Sequence, residues 1–547
     1  MTTTIHRNWL PRFLLTWATL LWLGVSAPCS PVDPPGALVP RPVSVEWRKG
    51  KFRITPSTCV AAQGMATNEA RKLVETLAPA MGFRMRSVGQ PAPRDCIGLL
   101  IDVSMRERLT EEGYELDVGT ESVSVRAAAP AGLFYAIQTL RQLLPPPVCG
   151  SERAEGVAWE MPAVRIVDHP RFPWRGLLVD PARHFIPVRD FERFLDVMAM
   201  HKFNRLQIHL TDDQGWRLEI RKYPDLVRVG AGMDFTAVHR GVAAGQGRAG
   251  GFYSQDEVRH LVRYAAERYV TLVPEIEMPA HTGAAIVAYP ELGLHPDTLA
   301  ALPPGRRWTA HEGVVAPRPR TVAFLQDVLA EVVELFPSRH IHIGGDEANI
   351  EHWKKSAEMQ AFIRDRELKD EAGLHSWFIR QMDDFLTARG RQLVGWDEIL
   401  QGGLAPGAVV MSWRGEEGGI AAARAGHPVI MAPTSHTYFD YYQGPAEKEP
   451  KAIGGFVPLE KVFQYEPIPA ALGPDRAKHV LGAQAQLWGE FISTPEHRMY
   501  MAYPRACALA EVLWAPRLED RAYAEFLERL AVHAERLKHL QVRYRPW

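Results

Sequence analysis

At 547 residues the chain is too long for one hydrophobic core, and 46% hydrophobic with 23% charged side chains is the composition of an ordinary globular protein. A formal net charge of -1, with no long block of Lys and Arg, argues against nucleic acid or an anionic membrane surface as the main partner.

The first residues read as an export signal. Arg7 and Arg12 precede an apolar run from Phe13 to Val25 that is too short to span a bilayer comfortably, and Val25-Ser26-Ala27 suits cleavage after Ala27. Removal of residues 1–27 would leave a periplasmic or secreted protein with no membrane span. Cys29 invites lipid attachment, but Pro28 stands where that chemistry wants a small residue. Cys29, Cys59, Cys96, Cys149 and Cys507 form no CxxC pair and have no His at metal-ligand spacing. Export makes one disulfide possible in the N-terminal region.

Residues 36–170 carry short β-type runs at 43–47, 98–103, 114–118 and 122–127. Helical patterns lie between them at 68–82 and 131–144, which predicts a small α/β domain. Residues 145–156, rich in Pro and Gly, are expected to be a surface loop. From residue 171 to the C-terminus eight apolar runs alternate with helical stretches. They lie at 174–180, 205–210, 270–277, 340–345, 391–398, 408–413, 428–434 and 481–488, which predicts a (β/α)8 TIM barrel closed by a C-terminal helix. The helix after the sixth strand, 418–426, is short.

Functional groups in such a barrel gather where strands end. The ends supply Asp180, Arg183, His209, Asp212, Glu275, Glu277, His281, Asp346, Glu347, Trp396, Asp397, Trp413, Tyr438, Asp440, Trp488 and Glu490. Acids bordered by indoles suit a carbohydrate, whose C–H faces stack on aromatic rings while its hydroxyls need polar partners. The stretch HIHIGGDEAN (340–349) sets two carboxylates side by side after two glycines. Successive strand residues face opposite ways, so Asp346 and Glu347 should have different partners. The economical division has Glu347 protonate a leaving oxygen while Asp346 handles a nucleophile carried by the substrate itself. Glu347 would then need burial or a nearby negative charge to hold its proton.

The blocks HLTDDQGWRLEI (209–220), GFYSQDEV (251–258), PEIEMPAHTG (274–283), HIGGDEA (342–348), YFDYYQG (438–444) and LGAQAQLWGE (481–490) strongly resemble glycoside hydrolase family 20, from about Leu38 to the C-terminus. The resemblance implies β-N-acetylhexosaminidase activity on amino-sugar-terminated glycans, with no cofactor or metal. In it the 2-acetamido oxygen of the substrate is the nucleophile, an exception to the two-carboxylate scheme of glycosidases. It further implies Glu347 as acid/base, Asp346 as holder of the acetamido N–H, and Tyr438 as donor to its oxygen. Trp396, Trp413 and Trp488 would enclose the group; Arg183, Asp440 and Glu490 would bind hydroxyls; Asp212 and His281 would support Glu347. Three departures stand out: Gln207 where the family often has His, Ala280 where Gly is usual, and an altered 314–320 segment. The last is where binding beyond the first sugar is expected to differ.

Other residues invite plainer readings. His209 on its own reads as a core or strand-end histidine, Trp174, Trp216, Trp353 and Trp514 as packing, and Glu275 and Glu277 as rim salt bridges. The run 446–451 reads as a solvated loop, and Asp397 and Glu398 either line the cleft or pair with neighbours.

Overall fold

A computed structural model describes residues 37–90, 94–231, 250–294, 313–517 and 522–547. The expected signal segment, its cleavage point and Cys29 lie outside the described residues. Among those described, no helix is long and apolar enough to cross a membrane.

The first part is a seven-stranded sheet of β1 (Ser44–Arg53), β2 (Cys59–Ala62), β3 (Arg86–Val88), β4 (Cys96–Ile101), β5 (Tyr114–Val118), β6 (Ser122–Ala127) and β7 (Glu160–Asp168), in the order β1-β7-β5-β6-β4-β2-β3. The predicted runs at 114–118 and 122–127 become adjacent antiparallel strands, and β5 buries every second residue, as its alternating pattern requires. Helices Thr67–Met81 and Pro130–Leu143 pack on the sheet.

Three strands escaped the sequence reading. β2 and β3 are only three or four residues long, and β7 contains Pro162, which argues against a paired strand. Pro162 is accommodated because it lies beyond the overlap with β5 and opposite a register shift in β1, where a missing N–H costs little. The segment 145–156 is not wholly a surface loop. Pro146–Cys149 forms a 3-10 turn with Val148 and Cys149 buried against the C-terminal helix Tyr523–His539. Cys59 and Cys96 are register partners joined by a disulfide; Cys149 and Cys507 are free and buried.

The remainder is a closed parallel barrel of β8 (Trp174–Val179), β9 (Arg205–His209), β12 (Thr271–Glu275), β13 (His340–His342), β14 (Gln392–Trp396), β15 (Val409–Ser412), β16 (Val429–Met431) and β17 (Val480–Leu487). A two-residue hairpin, β10 (Thr211–Asp212) with β11 (Gly215–Trp216), follows β9. Every predicted barrel strand is present, and the short helix after the sixth spans Glu417–Ala425. β8 is buried on both faces and is apolar apart from Arg175, whose charge is met by Glu112. Large side chains, among them Trp174, Leu178 and Met411, fill the bore.

Two carboxylates dock the sheet on the barrel, Asp168 fully buried and Glu112 partly so. Asp168 of β7 accepts from Lys202 Nζ (2.8 Å), Tyr114 Oη (2.6 Å) and Trp514 Nε1 (2.9 Å). Glu112 accepts from Arg175 (2.8 Å) and Asn204 (3.1 Å). Removing one partner of the fully buried Lys202–Asp168 pair costs roughly 3–5 kcal/mol.

Candidate active site

The site starts where β13 stops. Gly344 and Gly345 take φ +68° and +93°, breaking the strand after His342, and Glu347 itself has φ +48°. A non-glycine residue held there costs about 1–3 kcal/mol and survives only where its surroundings enforce it. The bend sends the adjacent acids different ways. The Asp346 side chain is 13% exposed and faces inward, whereas Glu347 is 42% exposed. Glu347 is thus more open than the partly buried proton donor that the sequence leads one to expect.

His281, after β12 and also at positive φ (+50°), sits between the two acids and a third. Its Nε2 lies 3.4 Å from Glu347 Oε2 and 3.7 Å from Asp346 Oδ2, while Nδ1 lies 3.4 Å from Asp212 Oδ1 and 3.5 Å from Asp213 Oδ2. Burial opposes its positive charge, but Asp212 dominates and raises the imidazole well above its ordinary value. Asp212 is held well below the usual carboxylate range: burial works against this, and Arg183, at 2.8 Å, and His281 overcome it. Asp346 is raised, chiefly by burial; His281 pulls it down, and Glu275 and Glu347 push it up.

His209 has a larger part than a core histidine. Both ring nitrogens face carboxylates, Nδ1 donating to Glu275 at 2.7 Å and Nε2 to Asp212 at 2.8 Å. Burial opposes the imidazolium, yet Glu275 and Asp212 lift it to about 10. Glu275 is no rim salt bridge: it is fully buried and accepts from His209, from Gln207 Nε2 (2.8 Å) and from Trp396 Nε1 (2.9 Å). Gln207, the departure from His, therefore serves the same carboxylate, and its Oε1 accepts from Gln484 at 2.6 Å. Glu277 is also buried, with neither oxygen hydrogen-bonded and His209 Nδ1 3.8 Å from Oε1; burial, Asp346 and Glu275 raise it well above the usual range.

All eleven residues singled out from the sequence line one cavity of about 370 Å³: Arg183, Asp212, His281, Asp346, Glu347, Trp396, Trp413, Tyr438, Asp440, Trp488 and Glu490. His209, Tyr441 and the segment Ile453–Gly455 line it too and were not read as site residues. The segment lies far from any strand end in sequence, and no pattern marks it. Arg183 bonds Asp180 and Asp212 at 2.8 Å and Gln214 at 2.9 Å, and reaches Glu490 at 3.8 Å. The aromatic wall is continuous: Trp396 and Trp488 rings are 5.7 Å apart, Tyr438 and Trp488 6.5 Å, Trp413 and Tyr438 6.2 Å. Burial and Asp440 raise the Tyr438 phenol well above its ordinary value, so it stays a donor.

Three cavity carboxylates each keep one enclosed oxygen without a hydrogen-bond partner: Asp346 Oδ1, Asp440 Oδ1 and Glu490 Oε2. Orphaned buried acceptors are costly and ask for donors from a ligand. Asp440 and Glu490 are raised by burial, the former also by Glu490 and the latter despite Arg183.

Trp174, Trp216, Trp353 and Trp514 are fully buried packing residues. Asp397 pairs with Arg414 Nε at 2.6 Å, and Glu398 accepts from Trp413 Nε1 at 3.0 Å. The run 446–451 is not simply solvated, since Glu449 pairs with Arg545 at 2.7 Å and Tyr500 at 2.8 Å. The 314–320 segment does not reach the cavity: Val314 and Ala316 are buried in a side core with Ala280 and Trp353.

Clusters with metal-ligand chemistry exist among the described residues. In Asp212–Asp213–His281 and His209–Glu275–Glu277, a cation would compete with the guanidinium of Arg183 and two imidazoles. The third, His201–Cys507–His533, has its imidazole nitrogens 2.8 Å apart. That is an N–H···N bond, closer than the roughly 3.3 Å that two nitrogens at zinc bond lengths would adopt.

Residues 172–517 match the glycosyl hydrolase family 20 catalytic domain, and residues 36–169 match domain 2 of that family. A β-hexosaminidase of Porphyromonas gingivalis is 42% identical over 499 residues, covering 90% of this chain; the chain spans 62% of that relative's length. The exo-β-N-acetylglucosaminidase of Vibrio harveyi, solved in complex with N-acetylglucosamine, superposes with a TM-score of 0.81 at 31% identity, covering 93% of this chain and 78% of its own. The β-N-acetylhexosaminidase of Streptomyces coelicolor gives 0.80 at 31% identity, covering 94% and 98%.

Proposed function

The chain belongs to glycosyl hydrolase family 20, and from that premise we propose that it is an exo-acting β-N-acetylhexosaminidase working by substrate-assisted catalysis with retention. It would release terminal non-reducing N-acetylglucosamine or N-acetylgalactosamine. The observation that carries this reading is the set of orphaned carboxylate oxygens around an aromatic box. Asp346 Oδ1 awaits one N–H beside three indoles and a phenol, while Asp440 Oδ1 and Glu490 Oε2 await hydroxyls beside Arg183. One amide flanked by several hydroxyls describes a 2-acetamido sugar. The burial of Arg183 and Asp440, the groups proposed to take the hydroxyls, favours a chain terminus over its interior.

In this mechanism Asp346 accepts the acetamido N–H and Tyr438 donates to the acetamido oxygen, aiming that oxygen at the anomeric carbon. As the new C–O bond forms, the bond to the leaving oxygen breaks and Glu347 gives that oxygen its proton. Asp346 offsets the positive charge developing on the oxazolinium ring. Water then attacks the anomeric carbon, Glu347 takes its proton, and the ring reopens. His281, backed by Asp212, holds Glu347 for both steps. Export to the periplasm or medium belongs to the same reading, supported by Arg7, Arg12 and the run Phe13–Val25.

Turnover of 4-nitrophenyl N-acetyl-β-glucosaminide, with competitive inhibition by a sugar thiazoline, is the expected result. Equal turnover of the plain β-glucoside, or a trapped ester on Asp346 or Glu347, would overturn the mechanism.

A further inference from the structure

Two indoles of the box are each held by a glutamate through the ring N–H. Trp396 Nε1 donates to Glu275 Oε1 at 2.9 Å, and Trp413 Nε1 donates to Glu398 Oε2 at 3.0 Å. The two anchors are not equivalent. Trp396 is fully buried between the rings of His342 (4.9 Å) and Trp488 (5.7 Å), so packing alone confines it. Trp413 is half-buried, the exposed Arg414 follows it, and its ring faces Tyr438 across 6.2 Å at 24°. An indole so placed is free to tilt unless its polar edge is tied down, and the bond to Glu398 is that tie.

Glu398 is built for this task. The 3-10 turn Asp397–Leu400, directly after β14, carries it behind Trp413, where it is 8% exposed and 3.6 Å from Arg414 Nε. It does not line the cavity, so it touches Trp413 and not the ligand.

Resting on the N-acetylhexosaminidase reading, we propose that Glu398 is a positioning residue that fixes the tilt of Trp413 and so the width of the acetamide box. By that route it makes the site select N-acetyl over longer N-acyl groups. With the wall tied, an added methylene finds no room; one such group in a tight apolar pocket is discriminated by about tenfold or more. Untied, the indole swings toward the solvent side occupied by Arg414. A longer acyl chain then fits, while the acetyl group loses the pressure that aims its oxygen at the anomeric carbon. Glu275 cannot be varied as cleanly, because its loss would also strand His209.

The test compares kcat/KM for 4-nitrophenyl β-glucosaminides bearing N-acetyl, N-propionyl and N-butyryl groups. In Glu398→Ala the N-acetyl value should fall by about tenfold and the N-propionyl value far less, shrinking their ratio at least roughly fivefold. Glu398→Gln keeps an acceptor oxygen and should restore that ratio to within about twofold of wild type. Trp413→Phe keeps an aromatic wall but lacks the N–H; it should show the Glu398→Ala ratio, and adding Glu398→Ala to it should change nothing further. An unchanged ratio in Glu398→Ala, or multiplying losses in the double variant, would overturn the proposal. Should Glu398→Ala not fold, the Gln and Phe variants decide. A wild-type protein inactive on the N-acetyl compound would instead refute the underlying activity.

Discussion

Gly344 and Glu277 occupy the same space as far as any side chain is concerned: a Cβ on Gly344 would lie 1.7 Å from Glu277 Oε2. The bare backbone at the end of β13 therefore leaves room for a buried acid beside the Asp346–Glu347 turn, and its φ of +68° permits the bend that separates those two side chains. Gly344→Ala should destabilise the fold by at least about 2 kcal/mol in denaturant titration and cut kcat/KM by about 100-fold. Retention of both would mean the bend is not enforced.

Glu347→Gln should slow substrates with poor leaving groups by about 10³-fold while sparing activated aryl glycosides, because only the former need a proton. A Brønsted plot across leaving-group pKa reads this directly, and a flat plot in the variant equal to wild type would refute the acid role.

Asp346→Asn keeps the shape but offers the acetamido N–H a neutral acceptor. A fall in kcat of about 100-fold or more, whatever the leaving group, is expected from the lost charge stabilisation. Pre-steady-state measurement should show the loss in the first chemical step; a change confined to KM would assign Asp346 to binding alone.

Asp212 bonds Arg183 and His209, each at 2.8 Å, and faces His281 at 3.4 Å. Asp212→Ala leaves three buried cationic groups short of a partner, and a loss of roughly 3–5 kcal/mol is expected. Thermal unfolding of this variant beside His281→Gln separates the two roles: His281→Gln should lose activity with far less stability.

Glu398 also makes a pH prediction. Burial, with help from Asp346, lifts its carboxyl from 4.5 to about 8. Below pH 4.5 folded and unfolded chains both hold the proton. Between 4.5 and 8 only the unfolded state ionises, so the fold loses stability as pH rises through that window. Glu398→Gln removes this penalty, and its stability relative to wild type should increase from pH 4.5 to pH 8 in urea titrations. A difference constant across the window would show that the carboxyl is not raised.

The barrel was legible because its strands are continuous apolar runs of the right length, separated by amphipathic helices. The face that carries the candidate site was legible because acids and indoles at strand ends are expensive there without a use. His209 and Glu275 were undervalued for a physical reason. One residue's partners in a barrel come from neighbouring strands, Glu275 of β12 pairing in register with His209 of β9, and no local pattern carries that register. The roles of Asp397 and Glu398 were open for the same cause, since both are settled by Trp413 and Arg414, which directly follow the next strand. Ile453–Gly455 reach the cavity only by the path of a long loop.

Chain periodicity and composition by themselves determined the two-layer order of an α/β sheet followed by eight strand–helix repeats, and which side chains would gather at one rim. Those are short-range properties, fixed by where apolar residues must be buried. Only the tertiary structure decided the charge state and aim of each group. It turned Asp346 inward and Glu347 outward, locked His209 between two carboxylates, and left three acceptor oxygens empty around an aromatic box. Electrostatic energies depend on distance and burial across strands remote in sequence, and those exist only once the barrel has closed.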